Sequence, residues 1–511
     1  MSTQITITNI SGVPPFNVYL CDNPITLSIY IDTISTFPYN VTIPPIWSNL
    51  TSFNIKVIDD INCESILNIT LGPQPTPTPT NPFIILVSVS GLNQFTVPTN
   101  PSYPYNYTVK TSEQTFNNVT GDILLTWSNP GDYTVEITEQ FPAYLHDGSS
   151  ELQEVQQWGD IVWSTFENAF TNSNVDVTAT DVPNLTFVTN FNYAFSECYY
   201  LENLNGSMGL WDVSNATSMS YMFYYADSFN QDIGNWNVSN VTDMGHMFEL
   251  ADDFNQDVGN WDVSNVTNMS YMFDSSDFNN GGSPSINNWN VSGVTDMNSM
   301  FSYSFNQPIG NWDVSNVTDM SDMFGYSFNQ PIGNWDVSNV TNMNDMFNNT
   351  NFNQPLSGWN VSNVTNMSSM FRDTPFDQYI NNWNVSNVTN MNHMFGGSNF
   401  NQPLSGWNVS NVTDMGAMFW DFFGSTTLFN QDIGNWNVSG VTDFVLFMGN
   451  RTDSDYLDVY LDSIYNGWSS LPSVQSGINI NFGSIKYTAA GTAGRAILSG
   501  TYGWSIVDGG I

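Results

Sequence analysis

Up to Phe141 the chain alternates apolar and polar residues in short runs, QITITNI at 4–10, FNVYL at 16–20, ITLSIYI at 25–31 and FNIKV at 53–57. Pro, Asn and Asp bound each run. A period of two between turn formers predicts half-buried β-strands, and residues 1–72 read as a small β-sandwich, a module suited to attachment. PQPTPTPTNP at 73–82 favours extended polyproline II and reads as a semi-rigid spacer. FIILVSVS, NYTVKT, DILLTW and DYTVEIT carry the same rhythm through 83–142, a second β-sandwich, in which the Asn-Pro-Gly-Asp turn at 129–132 is expected to close a hairpin. Between Ser149 and Phe170 the apolar spacing changes to Leu152, Val155, Trp158, Ile161 and Phe166, which predicts a helical entry cap over 143–182.

From 183 to 450 the pattern is a repeat. Trp stands at 211, 236, 261, 289, 312, 335, 359, 383, 407 and 436, inside the unit F-N-Q-x-I-G-N-W-[ND]-V-S-N-V-T-[ND]-M-x-x-M-F. One unit is too short to bury its own apolar face, so neighbours must stack and share a core as a solenoid. Ile-Gly-Asn-Trp-Asn-Val alternates like a strand, and Met-x-x-Met-Phe has the spacing of a single helical turn. With strands about 4.8 Å apart, ten units make a rod roughly 50 Å long. Beyond Arg451 the register is lost, and 454–469 and 486–498 read as helices of a C-terminal cap over 451–511. The fold class is mainly β: two small N-terminal β-sandwiches, then a solenoid of short strands and single helical turns with terminal caps.

Composition narrows the partners. In 511 residues, six Lys and Arg face 47 Asp and Glu, a net charge of -41, which repels nucleic acid and anionic lipid. No apolar run approaches the roughly 18 residues of a spanning helix, so membrane insertion is not expected. The start, MSTQITITNISG, lacks a basic and then apolar export signal, and a route outside is expected to be other than that signal. Cys21 and Cys63 either pair within the first module or serve as small buried apolar residues; the sequence leaves both open.

Two Asn/Asp columns recur. The one after Trp includes Asp212, Asp262, Asp313 and Asp336; it reads as a row of calcium oxygens or, with more weight, as amide hydrogen bonding between units. The one before Met, Asp243 to Asp443, reads as helix N-capping. His246 and His393 share a position that elsewhere holds Tyr221, Ser299 or Asp322, which suggests a solvent-facing site without chemistry. Insertions at Asn279–Pro284 and Trp420–Leu428 are expected to be binding loops on a rigid scaffold. Trp420, Phe422 and Phe423 form an aromatic platform for a sugar ring or a protein anchor, or else cover the adjoining cap; Tyr224 and Tyr225 pose the same choice. No catalytic triad, zinc spacing or phosphate loop stands out, and neither an enzymatic activity nor a cofactor other than calcium is expected.

The unit W-[ND]-V-S-N-V-T-[ND]-M-x-x-M-F, with the flanks QQWGDIVWSTFENAF and TAAGTAGRAILSGTYGWSIVDGG, resembles the BspA-like leucine-rich-repeat surface proteins, in the branch that shares repeats with mycoplasma surface lipoproteins. The resemblance spans about residues 140–511. It implies immunoglobulin-like modules before a leucine-rich-repeat-like solenoid, surface display, and adhesion to glycans, proteins or cells, with no reaction. TITNISGVPPFNVYLCDN is similar to small β-modules of tailed-phage structural proteins. Together these imply a phage fibre, receptor-binding or decoration protein that holds other virion proteins through its N-terminal modules and contacts host-surface glycan or protein. A bacterial cell-surface adhesin is the alternative, and the oligomeric state is open.

Overall fold

The computed structural model describes residues 81–511 apart from 147, 149, 204, 205, 302 and 422–427, together with the backbone of six strands before them. The chain forms two compact units, one of residues 1–144, 155–165 and 179–188 and one of the remainder.

In the first unit, β1 (Gln4–Ile7) pairs antiparallel with β4 (Tyr39–Thr42). β2 (Phe16–Cys21), β3 (Ser28–Ile34), β5 (Ser52–Ile58) and β6 (Glu64–Thr70) form an antiparallel sheet in the order β3-β2-β5-β6. The Cys21–Cys63 question and the Pro/Thr stretch to residue 80 lie outside the described residues and side chains. Next come β7 (Phe83–Val89), β8 (Gln94–Val97), β9 (Asn106–Lys110), β10 (Thr115–Val119), β11 (Ile123–Thr126) and β12 (Gly131–Gln140). β7 shows why period two makes strands: Phe83, Ile85, Val87 and Val89 are buried while their neighbours are half-exposed. The turn at 129–132 closes no hairpin. β11 pairs with β8, whereas β12 pairs with β7 and β9, so the turn carries the chain from one sheet to the other.

The helical entry cap is corrected to extended chain. Leu152–Gln157 is a strand, with Leu152 and Val155 buried, and no described residue of 143–182 is helical. Spacing of three fits a helix, but it fits equally a bent strand that buries every third side chain. Gly159, at φ +63, is held where a Cβ would lie 2.3 Å from the Pro82 carbonyl oxygen, an approach only glycine permits.

The second unit is built from the repeats. Single-residue parallel bridges join each to the next, from Asn190–Ser218 through Asp243–Asn268 and Asp319–Asn342 to Asp414–Asp443. Each such level is a rung. Three columns lock the rungs together. Every Trp from 236 to 436 donates its indole Nε1 to a carbonyl one unit back, as Trp335 does to Ile309 at 3.2 Å. Two Phe columns stack, with centroids 3.7 Å apart within a unit at Phe301 and Phe305 and 6.3 Å apart between Phe305 and Phe328. The Asn of each Phe-Asn-Gln accepts the backbone N–H of its counterpart in the next unit, as Asn329 does from Asn353 at 3.0 Å, and Gln354 Nε2 adds a second bond at 3.0 Å. The column thereby meets the demand of buried backbone donors where no sheet exists.

Two local expectations are corrected. Ile-Gly-Asn-Trp-Asn-Val is not a strand: its alternating burial comes from successive turns, closed by Trp236 N to Ile233 O at 3.0 Å and Val241 N to Val238 O at 2.9 Å. Nor is Met-x-x-Met a helical turn. Met247 N bonds Met244 O at 3.2 Å, but His246 between them sits at φ 59, the left-handed third position of a type II turn. Apolar residues three apart meet across such a turn as they do on a helix. The Asp/Asn before Met therefore caps a turn, Asp243 Oδ1 accepting from Gly245 N at 3.0 Å. Several also bond across rungs, as Asn268 Nδ2 does to Asp243 Oδ1 at 2.9 Å.

After Arg451 the columns continue in different dress. Tyr456 stacks on Phe429 at 6.5 Å, Leu457 N bonds Asn430 Oδ1 at 3.0 Å, and Trp468 of helix α1 (Asp458–Ser469) donates to Ile433 O at 3.4 Å. Helix α2 (Thr492–Gly500) precedes the strand Ser505–Val507, which pairs in parallel with Asn479–Asn481. Asp508, 4 % exposed, closes the end by accepting from Tyr465 Oη at 2.5 Å and Arg495 Nε at 2.6 Å.

Candidate functional site

Columns that lock the rungs are buried and fully employed. The left-handed turn position is different, because its side chain points away from the apolar columns and is free to vary. Successive units place there Tyr193, Tyr221, His246, Tyr271, Ser299, Asp322, Asp345, Ser369, His393 and Ala417, all at φ between 51 and 59.

The first four form one aromatic stack. Tyr193 lies 4.6 Å from Tyr221 at 8°, Tyr221 lies 4.1 Å from His246 at 8°, and His246 lies 4.7 Å from Tyr271 at 7°. The rings cover one another's faces. His246 Nδ1 meets Glu249 Oε2 at 2.5 Å. The position is thus a structured surface column, not a bare solvent-facing site. Tyr224 and Tyr225 join it from the side: Tyr224 stands at 66° to Tyr221 with centroids 5.5 Å apart, and Tyr225 meets Tyr199 edge-on at 5.2 Å. Burial, with nearby Glu249, raises the phenol pKa of Tyr221 and Tyr224, so both stay hydrogen-bond donors.

The sequence reading found Tyr224 and Tyr225 but missed Tyr193, Tyr221 and Tyr271 as members of one site. The steps of 28, 25 and 25 residues from Tyr193 through Tyr221 and His246 to Tyr271, each one repeat, are the signal available in the sequence.

Trp420 belongs elsewhere. It is half-buried, stands edge-on to His393 at 5.8 Å, and lies over Gly449, where a Cβ would be 3.1 Å from Trp420 Cδ1. It lies against the next unit while part of its surface stays exposed. Phe422 and Phe423 lie outside the described residues. The insertion at Asn279–Pro284 is anchored at its start, where Asn279 continues the Asn column and Asn280, fully buried, accepts from Val258 N at 2.9 Å, while Gly281, Gly282 and Pro284 are exposed.

The column after Trp bonds locally rather than as an amide ladder between units. Asp212, Asp262, Asp313 and Asp336 are exposed, and each accepts from the backbone N–H of a Ser two residues on, at 3.2, 3.1, 3.1 and 3.0 Å. Hydrogen bonds with Ser264 and Ser338 hold Asp262 and Asp336 below the usual carboxylate range. The ladder between units belongs to the Asn of Ser-Asn-Val-Thr, as Asn240 Nδ2 to Ser214 O at 2.8 Å. Among the described residues no three His, Cys, Asp or Glu side chains converge to hold a metal ion.

Beyond the aromatic stack the turn column becomes acidic. Burial, then the charges of Asp345, Asp274 and Asp319, push Asp322 up to about 6, and burial also raises Asp274 and Asp345. A carboxyl raised on folding from 3.8 to about 6 contributes stability that is complete below pH 4 and lost as pH rises through 6. Neighbouring groups desolvate the Asp322 carboxyl only in part, and the residue keeps enough contact with solvent that much of this is screened. Asp322→Asn is expected to raise stability by about 1 kcal/mol at pH 7.5, with the gap closing below pH 4; chemical denaturation at both pH values checks it.

No curated protein and no solved structure matches the chain. One family model matches three times, over residues 164–285, 278–375 and 348–456, more than half of the chain and all of the stacked repeats that carry the aromatic and acidic column. The chain belongs to the family described as Mycoplasma protein of unknown function, DUF285.

Proposed function

We propose that this is a non-enzymatic surface protein in which immunoglobulin-like modules carry a leucine-rich-repeat-like solenoid that binds glycan or protein on a host surface. One observation carries the reading: the repeats commit Trp, Phe, Met, Val and Asn to internal columns, yet leave Tyr193, Tyr221, Tyr224, Tyr225, His246 and Tyr271 clustered at the turn surface. Clustered tyrosines offer large amphipathic contact area at low entropic cost. The setting that fits the N-terminal module best is a virion, where that module attaches to other virion proteins as part of a fibre or decoration protein. A bacterial cell-surface adhesin is the second reading, favoured by the family's description as mycoplasma proteins.

Full-length chain carrying Tyr224→Ala and Tyr225→Ala together is expected to bind host cells about tenfold to a hundredfold more weakly than the parent, with an unchanged melting temperature. Equal binding by parent and variant would remove the tyrosine cluster from the function. Antibody against the full chain separates the settings: label on purified virions supports the first, label on intact bacterial cells the second, and label on neither overturns both.

A further inference from the structure

Four units of the array carry a buried Ser or Thr two residues before the second Phe: Ser276, Thr350, Thr374 and Ser398. Each hydroxyl donates to the carbonyl of the first Phe at 2.8 Å and accepts the N–H of the second at 3.3–3.4 Å, which pins the loop between them. Two consecutive units depart from this. Their loops, Phe301–Phe305 and Phe324–Phe328, are one residue shorter, and Tyr303 and Tyr326 stand at the pinning position. The backbone hydrogen bonds fix that alignment: Tyr303 O accepts from Ser327 N and Tyr326 O from Asn351 N, both at 3.0 Å, as Thr374 O accepts from Asn399 N at 3.0 Å. The Phe columns beneath are undisturbed, with centroids 3.7 and 3.8 Å apart in the two short units against 4.0 Å at Phe347 and Phe352.

Both tyrosines stand in solvent, Tyr303 66 % and Tyr326 53 % exposed. Stability does not account for them, since a buried hydroxyl with two hydrogen bonds has been given up and a ring left in water gains little from burial. Among the described residues between 211 and 378 no other large apolar side chain is exposed. The neighbours are polar: Ser304 Oγ donates to exposed Asp277 at 3.2 Å before the pair, and exposed Asn351 follows it. A protein anchor needs an apolar, dehydrated surround, which these two rings lack. A sugar needs ring faces for its C–H groups, and carboxylate, hydroxyl and amide for its own hydroxyls. With 47 acids against six Lys and Arg, sulfated or sialylated chains are repelled, so the fitting sugar is uncharged.

We propose that Tyr303 and Tyr326, one rung apart, form a binding site for a neutral glycan, with hexose rings resting on the two phenol rings and hydroxyl groups held by Asp277, Ser304 and Asn351. The site lies further along the array than Tyr224 and Tyr225. It goes beyond the binding reading above, as a separate site with its ligand class named, and holds whether or not host cells are the target.

Native electrophoresis of the full chain through gels containing mannan, galactan, laminarin or dextran, with anionic alginate alongside, tests this. At least one neutral polymer is expected to retard the chain, and alginate is not. Tyr303→Ala and Tyr326→Ala together are expected to weaken that retardation about tenfold or more, with an unchanged melting temperature. Tyr379→Ala, which removes a ring 51 % exposed elsewhere on the array, is expected to leave it unchanged. Retardation by none of the neutral polymers, equal retardation of parent and double variant, or an equal loss in the Tyr379 variant overturns the site, and retardation by alginate as strong as by the neutral polymers overturns the choice of an uncharged sugar. A chain that binds host cells but none of the polymers overturns this inference and leaves the surface-binding reading standing. One that is retarded through Tyr303 and Tyr326 but binds no cells does the reverse.

Discussion

Trp335→Ala is expected to lower the unfolding free energy by about 4–6 kcal/mol, the loss of a buried indole with its cavity plus a carbonyl left without a donor. Trp335 is 3 % exposed, packs 6.2 Å from Phe324, and donates to Ile309 O in the preceding unit. Because repeats touch only their neighbours, the damage also falls on the coupling between the two halves of the array. Guanidinium unfolding followed by circular dichroism and by tryptophan fluorescence should then show a broadened transition rather than one shifted step. Trp335→Phe keeps most of the volume and loses the N–H, so about 1–3 kcal/mol is expected. If alanine cost less than about 1 kcal/mol, the Trp column would be a passenger and the Phe and Asn columns would hold the array.

The spacing of ten tryptophans made the stacked repeats legible, since any residue recurring once per unit must recur once per rung. What each position does was less legible, for a physical reason: bonds between rungs join residues about 24 apart that look like unrelated turn formers in one unit. Asn329 reads as loop and is a bonded ladder member. Spacing of three misled twice, at Leu152–Trp158 and at Met-x-x-Met, because turns and bent strands bring such residues together as helices do. A left-handed tyrosine defies the preference of that conformation for Gly and Asn, so nothing in Tyr221 or Tyr271 alone announced it. The candidate site suffered from the same blindness. Adjacent Tyr224 and Tyr225 drew notice as a pair, whereas Tyr193, Tyr221, His246 and Tyr271 become neighbours only once the rungs are aligned. At Trp420 the sequence offered platform or cover, and the indole lies against Gly449 with part of its surface exposed.

Gly467→Ala reverses a familiar sign. In the interior of a helix such as α1 this change ordinarily adds about 1 kcal/mol of stability, yet here it is expected to remove about 3 kcal/mol or more. A Cβ on Gly467 would lie 1.9 Å from the Gly434 carbonyl oxygen and 2.8 Å from its carbon, backbone atoms fixed by the last repeat that cannot step aside. Helix α1 must lift, which parts Trp468 from Ile433 O and from Phe444, whose ring lies 5.3 Å away. An uncapped end exposes the unpaired backbone of the final rung, so hydrogen exchange should accelerate across 444–511 before the central repeats respond. Gly500→Ala is the control: it lies at the end of α2 with nothing within 4 Å of the new methyl and should be neutral or slightly stabilising. Similar behaviour of the two variants would mean that α1 does not sit against Gly434, and that the array is closed at this end by something other than the glycine contact.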